Sequence, residues 1–517
     1  MAVVRSVNRP LKRVEDAAST VIEPCPGKTV FEPYSSAQCD ACVWKNCPSP
    51  MNVVFLPNTA HSFRPALPCA TSFDSKPWRE AVDMRRSNDG APFQIKLYGA
   101  RERGLDELMP LLQNIGLRVL DQIQFKITFE GARFFIRVFS IEPMVDGVAD
   151  LLPSRKPLLA ALDALLSGQA ENDALNGLIL LTGLHWKDID LLRAYRNYYL
   201  QLGGRFGLYR FHQALLGNPA VARLLYRYFE ARFEPDGRWR DSAQREVEAL
   251  TPIQQELVAA LDKVDEIYAD RILRDLFNLI DATLRTNFYR RRDQRDHFIA
   301  FKINSLGVID MPSPKPFVEI YVHSRTMEGI HLRGAKVARG GIRWSDRPDD
   351  FRAEILHLMQ TQMVKNALIA PQGAKGGFIL KTACKDATEC ARLAQDAYVT
   401  FMRGLLDLTD NLEGTQAVRP PLTVVYDDDD PYLVVAADKG TAGWSDRANE
   451  VAAEYGYWLG EAFATGGSQG YHHKQLGITA RGAFVCVRRH FLELGLCHTD
   501  VIDDTYVRVY SICYRNS

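Results

Sequence analysis

Between residues 362 and 380 the chain reads QMVKNALIAPQGAKGGFIL, an apolar segment that carries Lys365 and Lys375 and surrounds the second with Gly373, Gly376 and Gly377. A lysine in a dry, glycine-lined pocket loses solvation, so its pKa falls and it can polarise a carbonyl or trade a proton near neutral pH. Open glycine backbone beside it also lets a substrate come close. Two more polar features stand near by in sequence: Arg339-Gly340-Gly341, and Asp438 directly after YLVVAA. An aspartate at the end of a buried strand can relay a proton, while a second lysine and an arginine can clamp carboxylates. Each residue also has a plainer reading. Lys365 suits a helix end favoured by the helix dipole, Lys375 a solvent-facing turn, Arg339 a packing role through its stem, and Asp438 a turn or N-cap. A phosphate-binding P-loop is excluded, because Gly376 stands where that motif needs Ser or Thr. On these residues alone two other classes stay open: a lysine that forms a Schiff base with a carbonyl compound, and a non-catalytic carboxylate-binding or assembly module.

Such residues need strands and helices to hold them, and the last third of the chain supplies both. FIAFKINS and PKPFVEIYVHS alternate like strands, and GIHLRGAKVARGGIRW adds another with glycines at its turn. RPDDFRAEILHLMQTQMVKNALIA has Pro348 and two aspartates in its opening turn and a stripe of Ile355, Met359, Met363 and Ala367. That pattern predicts a helix over about 349–369, with Lys365 near its end and Lys375 in the loop after it. LTVVY and YLVVAA read as short buried strands, and Ser445 as the cap of the following helix. Strands alternating with helices predict an α/β domain over residues 298–496, with its site at the element ends. Upstream, 93–152 reads as a small α+β module and 153–297 as a helical region. Residues 1–92 hold eleven of the 26 prolines and no sustained period, so they read as a poorly ordered extension; 497–517 form a divergent tail.

The 63 basic and 63 acidic residues cancel, so no global positive field favours nucleic acid or an anionic membrane surface. No apolar run approaches 18 residues, and Arg5, Arg9, Lys12 and Arg13 are followed at once by Glu15 and Asp16 rather than by a signal-peptide core. The expected location is cytoplasmic. Cys39, Cys42 and Cys47 give C-x2-C-x4-C, but zinc or an iron–sulfur cluster needs four soft ligands, and neither a second C-x-x-C nor a suitably spaced histidine follows. Incidental thiols are the expectation there.

Taken together, HLRGAKVARGGIRWSDRPDDFRAEILHLMQTQMVKNALIAPQGAKGGFIL, DPYLVVAADKGTAGWSDRANEVAAEYGYWLGEAFATGGSQGYHHKQLGITARGAF and VRRHF resemble the catalytic region of the large, NAD-specific glutamate dehydrogenases of bacterial type. The resemblance covers about residues 95–495. It implies an enzyme that interconverts L-glutamate with 2-oxoglutarate and ammonium, passes a hydride to NAD, and works as a homo-oligomer. By the same resemblance Lys375 is the catalytic lysine and Asp438 relays protons to and from the substrate nitrogen. Lys365 binds the α-carboxylate. Arg339, where smaller relatives usually show lysine, holds the distal carboxylate beside Gly340 and Gly341. The run Asp427 to Asp430 is then a solvated turn rather than a metal site, since this chemistry needs no metal.

One departure is plain. A nicotinamide cofactor is normally held by a βαβ unit with a G-x-G-x-x-G turn, and no two of the 35 glycines are separated by a single residue. GGSQG at 466–470 follows a helix and fails the strand-turn-helix context. The cofactor-binding residues stay unknown. The expectation is a family member truncated before its Rossmann domain, keeping the substrate half of the site and reducing little NAD on its own.

Overall fold

The computed structural model describes residues 81–495, apart from 87–92, 130–131, 146–147, 149, 236, 240, 295, 366–371, 469 and 471–475. The Cys39, Cys42, Cys47 cluster and the tail lie outside the described residues. A first module pairs the strands β1 (Ala81–Arg86), β2 (Phe93–Gly99), β3 (Leu117–Phe129) and β4 (Ala132–Pro143) as an antiparallel sheet in the order β1-β2-β4-β3. Helix α1 (Leu105–Ile115) buries Leu108, Leu112 and Ile115 at helical spacing and ends at Gly116, whose φ of 91° only glycine adopts readily. β1 falls inside the segment assigned to the extension. Its signal is faint because only Val82 and Met84 alternate there, while the buried Asp83 is paired with Arg155 at 3.0 Å.

A helical region follows: α2 (Arg155–Leu166), α3 (Leu178–Thr182), α4 (Trp186–Gln201), α5 (Leu208–Gly217), α6 (Pro219–Phe233), α7 (Ser242–Arg245), α8 (Thr251–Leu261) and α9 (Ile267–Asp281). α4 is buried nearly all round, and its Asp190, Arg193, Arg196 and Asn197 are satisfied by one another and by Asp173, Asn176 and Glu328. Buried charge of this kind persists only when paired and hydrogen-bonded. The helical region ends sooner than expected. β5 (Thr283–Thr286) already belongs to the next sheet, and its two threonines and Arg285 are buried. A four-residue strand bounded by α9 and α10 (Phe288–Arg291) is too short to show a period.

The remaining strands are β6 (Ile299–Asn304), β7 (Val318–His323), β8 (Met327–Arg333), β9 (Ala338–Trp344), β10 (Gln372–Leu380), the hairpin β11 (Asn411–Glu413) and β12 (Gln416–Val418), β13 (Val434–Ala437) and β14 (Ala464–Thr465). Between them run α11 (Phe351–Lys365), α12 (Ala387–Leu406) and α13 (Ser445–Glu454), and a last helix covers Ile478–Glu493. Eight strands form one mixed sheet in the order β14-β13-β9-β10-β8-β7-β6-β5. One face, with Phe301, Ile303, Tyr321, Ile330 and Leu332, packs on α11 and the helical region; the other, with Ile320, Val322, Ile342 and Phe378, packs on α12 and α13. This is the expected α/β domain preceded by helices and an α+β module. Among the described residues no helix is long and apolar enough to cross a membrane.

Several local expectations are corrected. GIHLRGAKVARGGIRW is two strands, and they are not neighbours, because β10 inserts between them, antiparallel to β8 and parallel to β9. LTVVY is irregular: Val424 and Tyr426 pack on the core, but a single backbone bond, Tyr426 N–H to the Leu284 carbonyl at 3.1 Å, replaces a ladder. Ser445 is the first residue of α13 and donates its hydroxyl to the Thr465 carbonyl instead of capping. Cys384 and Cys390 form a disulfide across the start of α12. The Asp427–Asp430 run is not a solvated turn as a whole. Asp430 is buried and, with Asp427, pairs with Lys302, Arg333 and Arg285, while Asp428 and Asp429 face solvent.

Candidate active site

Lys375 does not sit in a loop. It is the fourth residue of β10, inside the sheet, and its side chain is buried. The glycines around it have separate jobs, seen by asking what a Cβ would meet. At Gly373 it would lie 2.7 Å from the Met363 amide nitrogen, and at Gly377 it would lie 2.4 Å from the Ile355 Cδ1, both on α11. At Gly376 it would lie 2.5 Å from Ile342 Cδ1, and at Gly340 only 1.6 Å from the Ala374 carbonyl oxygen. These glycines let a helix and two strands close on one another. Gly341 differs. Its missing Cβ would lie 3.1 Å from Asp438 Cβ and 3.3 Å from Lys375 Nζ, so it leaves the space in which those two side chains meet.

Asp438 follows β13 directly, at the carboxyl ends of the parallel strands where α/β sites are built. Its turn is fixed: Asp438 N–H donates to Thr441 Oγ1 at 3.1 Å, Thr441 Oγ1 donates to the Ile342 carbonyl at 2.7 Å, and Lys439 N–H donates to Asp438 Oδ1 at 2.7 Å. The other oxygen, Oδ2, forms an ion pair with the Lys375 ammonium and lies 3.5 Å from Arg343 Nε. Burial pushes the Asp438 pKa up, but the Lys375 ammonium, the Lys439 amide and the Arg343 guanidinium outweigh it and hold the carboxyl below its ordinary value.

Arg339 and Gly341 lie two apart on β9 and share the face that Arg343 also occupies. Arg339 is exposed there and makes no ion pair among the described residues. Gly340 faces the other way, into the β9–β10 contact. Lys365 is the last residue of α11, the helix that rests on Gly373 and Gly377; its side chain lies outside the described residues. Sequence reasoning missed Arg343, Glu354 and Ser345. Arg343 Nη1 donates to Glu354 Oε1 at 2.9 Å, and Ser345 Oγ donates to Glu354 Oε2 at 2.6 Å. The period of two from Arg339 through Gly341 was the signal that could have found Arg343.

Elsewhere Glu171, Asp190 and His323 bring ligand atoms within 4.8 Å of one another. Lys381 already pairs with Glu171 and Arg193 with Asp190, so the carboxylates have their counter-charges without a metal ion.

Residues 256–510 match the model described as bacterial NAD-glutamate dehydrogenase, catalytic domain; 170–235 match glutamate dehydrogenase, helical motif 3; and 81–151 match glutamate dehydrogenase, ACT3 domain. The first match runs past residue 496, where the resemblance read from sequence stops. The chain is 41% identical to the NAD-specific glutamate dehydrogenase of Halomonas elongata over 84% of its own length and 28% of that relative. It is 45% identical to the Pseudomonas aeruginosa protein of that name over 78% and 25%, and 43% identical to the Mycobacterium tuberculosis one over 83% and 27%. A solved glutamate dehydrogenase from Peptoniphilus asaccharolyticus aligns with 39% of this chain and 44% of its own at 17% identity and a TM-score of 0.23, too loose a fit to carry weight. The chain spans about a quarter of the length of the curated relatives it matches. Over its three matched segments it belongs to the family of large bacterial NAD-specific glutamate dehydrogenases.

Proposed function

We propose that the chain carries the substrate side of a glutamate dehydrogenase active site, which serves the oxidative deamination of L-glutamate to 2-oxoglutarate and ammonium with NAD as hydride acceptor. The observation that carries this reading is the ion pair between the buried Lys375 and the half-buried Asp438 beside Gly341. In it Lys375 is the catalytic lysine. Its ammonium stabilises negative charge that develops on the substrate oxygen, and it orients the water that adds to the imine carbon. Asp438 takes and returns the proton of the substrate nitrogen, so that the carbinolamine loses ammonia and the C2 carbonyl forms. The exposed Arg339 guanidinium, which makes no ion pair among the described residues, holds the distal carboxylate, and Lys365, at the end of the helix that covers the lysine strand, holds the α-carboxylate.

NAD does not fit the described residues. The two βαβ units, β9-α11-β10 and β13-α13-β14, lack the G-x-G-x-x-G turn, and the amino ends of their helices carry Asp346, Asp349 and Asp350 in one and Asp446 in the other. Carboxylates there repel a pyrophosphate that a helix amino terminus would otherwise attract. No step through the cofactor is therefore assigned to these residues. Cytoplasmic location and homo-oligomeric assembly belong to the same proposal, by family.

Calorimetric titration of 2-oxoglutarate into the wild-type chain, Lys375→Ala and Arg339→Ala tests the assignment. Binding in the wild type that weakens at least tenfold in both variants supports it. Equal binding in all three removes Lys375 and Arg339 from the site.

A further inference from the structure

Of the two Asp438 oxygens, Oδ1 is taken by the Lys439 amide. The oxygen left to exchange a proton is Oδ2, and it faces two cations from two strands: Lys375 on β10 and Arg343 on β9. Arg343 is not free to swing. Its Nη1 is held by Glu354 of α11 at 2.9 Å, and the second Glu354 oxygen is held by the Ser345 hydroxyl at 2.6 Å. The Lys439 ammonium points elsewhere, 3.8 Å from the exposed Asp346. Thus the chain Ser345, Glu354, Arg343, Asp438, Lys375 ties α11, β9, β10 and the β13 turn together, with two acidic and two basic side chains beyond the serine.

We infer that Arg343, braced by Glu354, is the positioning residue that fixes Asp438 for proton exchange; this rests on the reading of Asp438 as the relay proposed above. A lysine that serves a substrate oxygen must leave Asp438 at some stage. Among the described residues Arg343 is then the cation left beside Oδ2, and it keeps the carboxylate ionised and aimed. Glu354 acts on Asp438 through Arg343, whose Nη1 it holds while Nε lies beside Oδ2.

The test is the titration of Asp438 in the chain labelled with 13C at aspartate carboxyls, its resonance identified by loss in Asp438→Asn. In Arg343→Gln the midpoint is expected to rise by about one pH unit, a roughly tenfold gain in proton affinity. Arg343→Lys should restore at least half of that shift. Glu354→Gln, which leaves both cations in place and loosens one, should move the midpoint by a smaller amount in the same direction. An unchanged midpoint in a folded Arg343→Gln chain overturns the inference. If that variant does not fold, an unchanged midpoint in Glu354→Gln overturns it equally. The readout needs no glutamate, NAD or turnover. Failure of 2-oxoglutarate to bind would count against the proposed function and leave this result standing, and the reverse also holds.

Discussion

Lys375 of β10 and Asp438, directly after β13, come from strands that do not touch, and they meet over β9, the strand between, at Gly341, the glycine on their side of the sheet. A larger residue there would divide the pair. Gly341→Val is expected to abolish 2-oxoglutarate binding while moving the urea midpoint less than a change at Gly340. The φ of Gly341 is not in the left-handed region, so the effect reports space and not backbone strain. Unimpaired binding in Gly341→Val would show that the pair needs no such gap.

The other glycines predict an order of stability loss. Gly340→Ala puts a methyl 1.6 Å from a strand carbonyl, Gly373→Ala puts one 2.7 Å from the α11 backbone, and Gly377→Ala meets chiefly the Ile355 side chain, 2.4 Å from its Cδ1, with the Arg343 carbonyl oxygen farther off at 3.2 Å. Backbone cannot yield as a side-chain end can. Urea denaturation should rank them Gly340→Ala worst, then Gly373→Ala at about 1–3 kcal/mol, then Gly377→Ala least. Equal losses would mean that the helix and strands are less closely packed than their separation implies.

Stability should also fall on mild acidification. Burial, with the Arg333 guanidinium added, pushes the fully buried His331 down to about 3, and burial with Arg196 pushes His212 down to about 4. Both stay neutral in the fold, whereas the unfolded chain protonates them below about 6.5. Their contribution is complete above that pH and is lost as pH drops toward the folded values. For His331 the loss between pH 6.5 and 5 is about 2 kcal/mol. His331→Gln should flatten that part of the profile; a slope identical to wild type would contradict the assignment.

Asp430 offers a further check. Burial raises its carboxyl, but Arg333 and Lys302 hold it well below the ordinary carboxylate range. Its stabilisation is complete above about pH 4 and disappears as pH falls through its lowered value. Asp430→Ala leaves Lys302 and Arg333 buried with a counter-charge missing, and should cost about 3–5 kcal/mol at pH 7. The gap between wild type and variant should narrow below pH 4. A cost under about 1 kcal/mol at pH 7 would mean that the pairing is dispensable.

How far the sequence could be read follows from where its signals come from. Helical spacing made α11 legible, alternation marked β7, and the run YLVVAA marked β13. The sequence also named Lys375 and Asp438 without showing that they touch. GAKGG was mistaken for a loop because glycines normally punctuate chains, and here they mark a strand over which a helix lies close. The insertion of β10 between β8 and β9 is long-range topology, which no local period carries. Asp430 was passed over because a charged residue beside other charged residues reads as solvent-facing, and only the fold reveals the partners that let it stay buried; Arg343, between Ile342 and Trp344, was passed over because its partners Glu354 and Asp438 are brought to it by the fold.

If Lys375 stands in the substrate site, its own reactivity must respond to a bound substrate. The wild-type chain would be acetylated with acetic anhydride in the presence and absence of saturating 2-oxoglutarate, and the Lys375 peptide followed by mass spectrometry. Bound 2-oxoglutarate is expected to slow Lys375 labelling at least tenfold while leaving exposed lysines such as Lys439 unchanged. Equal labelling of Lys375 with and without 2-oxoglutarate, in a chain that calorimetry shows to bind it, would contradict that placement.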